Sequence, residues 1–118
     1  MASLPVQDDY TEMRNLKWSP TEKAIARKAF ERALQRELEA VMAEAKDRAG
    51  KIQQPSDLWE LERYLTERRK EIDRQYDYRY SMLVIVFGNL LRQGKLSEQE
   101  LHGLGEDKLD PIRRCARL

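Results

Sequence analysis

The chain has 118 residues, of which 36% are charged and 41% hydrophobic, with 22 Lys and Arg against 21 Asp and Glu. This length suits one domain with a thin core, and the balanced charge lacks the broad positive field of a nucleic-acid binder. A single cysteine, Cys115, excludes an internal disulfide, and the absence of a signal-like apolar segment or a bilayer-length apolar run points to a soluble, cytoplasmic protein without membrane association.

Residues 1–17 carry no hydrophobic period and read as a flexible leader. The remaining residues, 18–118, read as a single helical domain. In "WSPTEKAIARKAF" Ser19 is a helix cap, Pro20 fits the first helical position, Glu22 completes a capping box and Trp18 can staple the entry. Ile25, Ala29, Phe30, Ala33, Leu34, Leu38, Val41, Met42 and Ala45 recur at steps of three and four, which predicts a helix to about Arg48, ended by Gly50.

After "AGKIQQPS" a second helix is expected, capped by Ser56 or Asp57 with Glu60 in the first turn. No glycine or proline follows until Gly88. Leu61, Ile72 and Leu83 lie eleven residues apart, as do Leu65, Tyr76 and Phe87, and eleven residues make about three turns. The spacing predicts one helix from about Asp57 to about Gln93. Its first half carries a narrow apolar stripe, and Met82 to Leu91 is apolar nearly all round. "MLVIVF" alone would also fit a buried strand, but no second strand candidate exists to pair with it. Gly94 ends this helix, Ser97 and Glu100 begin a short one that stops at Gly103, and Asp110-Pro111 marks the start or first turn of a last helix.

The expected fold is therefore all-α: two long antiparallel helices forming a stem, about residues 18–81, and a small helical head, about 82–118. A helix from Asp57 to Gln93 would be about 54 Å long, against a radius of gyration near 13 Å for a compact chain of about this size. Such a rod would outgrow its own globule and leave an apolar edge open, which predicts a homodimer; the alternative is a closed monomeric bundle with the last helices folded back along the stem.

Enzyme signals are absent. His102 is the only histidine, too few ligands for a zinc site, and there is no phosphate-cradling glycine loop. The arginines at 113, 114 and 117 could lower the Cys115 pKa, which makes a thiol switch the weakest of the competing readings. The remaining class is a non-enzymatic protein-interaction module, without cofactor or metal.

Motifs along the chain sharpen this. "WS" at Trp18, "QREL" at Gln35, "DLWEL" at Asp57, Arg69 to Asp73, "YDYRYS" at Tyr76, "VF" at Val86, "EL" at Glu100, "DK" at Asp107 and the closing "ARL" resemble the fluorescence recovery proteins of cyanobacteria, over about Trp18 to Leu118. The resemblance implies an all-helical dimer that binds the photoactivated orange carotenoid protein, mainly through that protein's C-terminal domain, and speeds its return to the inactive orange state. It implies that Trp59 and Arg69 lie at the dimer interface, and Glu62, Arg63, Leu65 and Ile72 are candidates beside them. Ile85, Phe87, Asp107, Lys108 and Arg113 are candidates for partner contact. Glu62-Arg63 stands where the family usually has His-Asp, Ile85 where it tends to have Phe, and Pro111 where it often has Lys. These departures leave open a relative that serves a different partner, in a bacterium without that photoreceptor.

Overall fold

The structure, a computed structural model, describes residues 15–118 and is all-helical among them. The first fourteen residues of the expected leader lie outside the described residues. Of the last three, Leu16 packs partly on the core and the Lys17 carbonyl accepts from Lys108 Nζ.

Helix α1, Pro20–Gly50, begins as expected. Ser19 Oγ accepts from the Glu22 N–H at 3.1 Å and the Glu22 carboxylate accepts from the Ser19 N–H at 3.0 Å. Helix α2 is Pro55–Gln75 and starts slightly earlier than predicted. Asp57 is not its cap residue; its carboxylate reaches back to accept from the N–H groups of Gln53 and Gln54 at 2.9 and 3.2 Å.

The predicted rod from Asp57 to Gln93 does not exist. α2 stops at Gln75, and helix α3, Leu83–Arg92, follows a non-helical link. Tyr76, Tyr78 and Tyr80 explain the break. They alternate, and residues two apart share a face in extended chain but not in a helix. Tyr76 and Tyr78 set their rings edge-on to Phe30 of α1, with centroids 5.5 and 4.8 Å away, and Tyr80 meets Tyr78 at 5.6 Å and Trp18 at 5.9 Å. Arg27 stacks over Tyr78 and Lys23 lies over Tyr80. This aromatic ladder on α1 outweighs the few helical hydrogen bonds that a continuous rod would add. With the rod gone, its length no longer argues for a dimer.

α3 ends in a Schellman turn. Gly94, at φ 73°, lets the Lys95 N–H reach the Leu90 carbonyl and its own N–H reach that of Leu91. A 3₁₀ turn, Glu98–Leu101, precedes helix α4, Glu106–Ala116. Pro111 does not start α4; it lies in its interior, and the helix begins five residues earlier behind Gly105. α3 and α4 cross closely at Gly88, where a Cβ would come within 2.4 Å of Cys115 Cβ and 3.1 Å of the Ile112 carbonyl.

The core gathers Leu83, Val84, Val86, Phe87 and Leu90 of α3 with Leu101, Leu104 and Ile112. Leu96, Trp18, Ala26, Ala29, Phe30 and Ala33 complete it, so the core is shared between 82–118 and the first half of α1 with the Trp18 that precedes it. The second half of α1 and α2 form an antiparallel arm, in which no residue of α2 is buried. The described residues span 57 × 35 × 20 Å.

Candidate protein-interaction site

Two buried ionic clusters tie the packed end together. In the first, Glu22 does more than close the cap. Its Oε1 accepts from Lys108 Nζ at 2.9 Å and its Oε2 from the Gly105 N–H at 2.8 Å. Lys108 also pairs with Asp107 at 2.9 Å. Burial alone would raise the Glu22 pKa, but the Ser19 and Gly105 amides and the Lys108 ammonium hold it down to about 2. The start of α4 is thereby fixed to the start of α1.

The second cluster surrounds Glu37, whose side chain is 5% exposed. It accepts from Arg68 of α2, from Lys95 Nζ at 3.0 Å and from the Tyr76 hydroxyl at 3.0 Å. Those donors outweigh burial and keep its pKa below the usual range. Burial and the adjacent Glu37 raise that of Tyr76. Glu37, Arg68, Ile72, Gln75, Tyr76 and Lys95 line a small cavity of about 120 Å³ here. The sequence reading missed this cluster. Its signal was present: Ala26, Ala29, Ala33 and Glu37 follow one another at helical steps, so Glu37 continues a buried stripe and needs cations.

The expected dimer-interface residues fall on different sides of α2. Trp59, Glu62 and Arg63 share an outward face with Thr66, Glu67 and Lys70, lining a shallow groove of about 330 Å³ to which no other described element contributes. Trp59 is 63% exposed. Leu65 and Arg69 are exposed as well. Ile72 instead turns inward, half-buried beside Glu37.

The expected partner-contact residues divide similarly. Phe87 is fully buried and Lys108 nearly so, and both side chains pack within the molecule. Ile85 is half-buried and Asp107 is exposed. Arg113 is partly exposed and pairs with Glu98 at 3.0 Å and Glu106 at 3.3 Å.

Burial raises the Cys115 pKa, and Arg114 and Arg92 offset this only in part. Among the described residues no group of His, Cys, Asp or Glu is placed to hold a metal, and no helix is long and apolar enough to cross a membrane.

The family model described as "Photoprotection regulator fluorescence recovery protein" matches residues 18–116. The fluorescence recovery protein of Synechocystis sp. is 41% identical over 101 residues, covering 86% of this chain and 93% of that protein. The structure of the Fremyella diplosiphon fluorescence recovery protein superposes with a TM-score of 0.82 at 42% identity, over 86% of this chain and all of that one. That of the Synechocystis sp. PCC 6803 protein gives the same score and coverage at 40% identity. The chain has a packed end and an arm on which Leu58, Trp59 and Leu65 stay exposed, and it belongs to the fluorescence recovery protein family of photoprotection regulators.

Proposed function

We propose that the protein is a homodimeric regulator that binds the photoactivated orange carotenoid protein, through that protein's C-terminal domain, and accelerates its return to the inactive orange state. The match to the family over residues 18–116 carries this reading. The open α2 face supports the dimer: Trp59 with Glu62 and Arg63 has the aromatic and arginine composition of an interface centre, and Leu38, Met42, Leu58 and Leu65 add exposed apolar surface along the arm. A second copy covering this face forms the stem of the dimer. The packed end, with Ile85, Asp107 and Arg113 at or near its surface, serves as the head and faces the carotenoid protein.

No covalent chemistry is required. A binder speeds a conformational return when it holds the states on the return path more tightly than the starting state; each tenfold acceleration needs about 1.4 kcal/mol of that difference. The test mixes purified protein with a photoactivated orange carotenoid protein and follows red-to-orange recovery. Acceleration that saturates with added protein is expected, and none at saturating protein would refute the reading. Glu62-Arg63, with its charge order inverted relative to the family, favours a second reading in which the same dimer serves another partner. That reading expects an intact dimer and an unaltered recovery rate.

A further inference from the structure

A groove of about 310 Å³ runs between α1 and the 3₁₀ turn, lined by Ile25, Lys28, Ala29 and Arg32 on one side and Gln99, Glu100 and His102 on the other. We infer that it docks an extended, acidic segment of a protein partner, one that carries two carboxylates at alternate positions beside an apolar residue. This extends the reading above, in which a partner protein binds the packed end.

The charges of the groove support that occupant. Lys28 and Arg32 are exposed, and neither has a counter-ion among the described residues. Their neighbours on α1 differ: Arg27 pairs with Glu31, Arg36 with Glu100 and Arg48 with Glu44. Glu100 is the one acidic residue in the lining, and it is already engaged by Arg36 and by the Ser97 N–H at 3.0 Å. The groove therefore has an excess of positive charge on a chain that is nearly neutral as a whole.

Spacing narrows the choice. Lys28 and Arg32 stand one helical turn apart, about 6 Å along the axis. Alternate side chains of an extended segment lie about 6.6 Å apart on one face. Two carboxylates at such positions meet both cations together, and half-buried Ile25 gives a neighbouring apolar side chain a wall to rest on. The groove is also preformed. Leu101 is fully buried beneath the turn. Arg36 ties the far wall to α1 through Glu100 and the Lys95 carbonyl, the latter at 3.0 Å. Gly103, at φ 104°, lies so close to Ile25 that a Cβ there would come within 2.6 Å of its Cδ1. A ready-made surface avoids much of the ordering cost of binding.

The experiment needs no carotenoid protein. A fluorescein-labelled hexapeptide with Leu, Glu and Glu at alternate positions is titrated with the full chain and followed by fluorescence anisotropy at low and at physiological salt. The expected result is saturable binding that weakens with salt and falls at least tenfold in Lys28→Glu/Arg32→Glu. Lys46→Glu/Lys51→Glu, which alters net charge equally near the tip of the arm, should change it less than twofold. Circular dichroism confirms that both variants keep the wild-type helicity. No saturable binding, an equal loss in both variants, or equal binding of a peptide with Lys in place of Glu would each overturn the inference. So would a higher oligomer of the wild type that Lys28→Glu/Arg32→Glu dissolves, since a second copy would then fill the groove. Failure of this assay leaves the recovery assay untouched, and the converse holds too.

Discussion

The two halves of α1 have similar lengths and comparable shares of charge but meet different fates. The first half sinks Ala26, Ala29, Phe30 and Ala33 into a core with α3 and α4. In the second half Arg36 and Glu37 still reach Glu100 and Lys95, but beyond them α1 runs beside α2, and Leu38 and Met42 stay exposed, as do Leu58, Trp59 and Leu65 on the partner helix. Small residues allow close approach at the packed end. On the arm, long charged side chains hold contacts at the rim, such as Arg48 stacked over Tyr64 at 4.2 Å. Burial is concentrated at one end of this helix, so a substitution should reveal its end by how much stability it removes.

The largest effect is expected at Phe87, fully buried in the core. Phe87→Ala should cost about 3–5 kcal/mol of folding stability, read from the shift of a urea unfolding midpoint. Leu58→Ala on the arm, at a half-exposed position, should cost less than about 0.5 kcal/mol in dilute monomer. Similar losses at the two sites would erase the distinction.

Next comes the buried ion pair. Lys108→Met leaves the Glu22 carboxylate buried with its two amide donors but without its cation, and should cost about 2–3 kcal/mol. The same pair sets an acid limb. Glu22 titrates at about 2 in the folded chain against an ordinary 4.5, so the unfolded chain takes up the proton first. Its contribution, at most about 3 kcal/mol, is fully present above the ordinary value and fades as pH falls from there towards about 2. Glu37, also lowered, acts in the same direction. Unfolding free energies measured from pH 6 to pH 2 should fall, and fall less steeply in Lys108→Met.

Gly88 probes the closest helix crossing. Gly88→Ala places a Cβ against Cys115 Cβ and the Ile112 carbonyl and should cost about 1–3 kcal/mol through overpacking. Cys115→Ala/Gly88→Ala should recover little, because Cys115 would still have a Cβ in its place and the Ile112 backbone cannot retreat. Thermal melts of the single and double variants check this.

The sequence made the helices legible where local chemistry decides them. The Ser19–Glu22 box, the left-handed Gly94 and the apolar circumference of α3 are all local signals. It misled at the Gln75 break, because the eleven-residue repeats of Leu, Ile, Tyr and Phe matched a helix while Tyr76, Tyr78 and Tyr80 carried a competing period of two. Only contact with Phe30, more than forty residues away in the chain, decides between them. The ionic clusters were hidden for the same reason. Nothing local tells Lys108 that it will meet Glu22, or Arg68 that it, and not its neighbour Arg69, will meet Glu37. Of the candidate interface, Trp59, Glu62 and Arg63 emerged on one face because helical spacing alone puts them there.

The smallest effect on the folded chain is expected at Trp59, and it isolates the arm's role. The side chain is 63% exposed and lines a groove formed by its own helix, so Trp59→Ala should alter monomer stability by less than about 0.5 kcal/mol. If a second copy covers this face, the same truncation removes a central aromatic anchor, worth about 2 kcal/mol or more, and weakens dimerisation at least about thirtyfold. Arg69→Leu, also exposed, should weaken it less. Light scattering across micromolar concentrations distinguishes the cases: a dimer in the wild type and a monomer in Trp59→Ala, with unchanged helicity, assign the arm to self-association. An unchanged dimer would show that the subunits meet through another surface, and would move the search from α2 to the packed end.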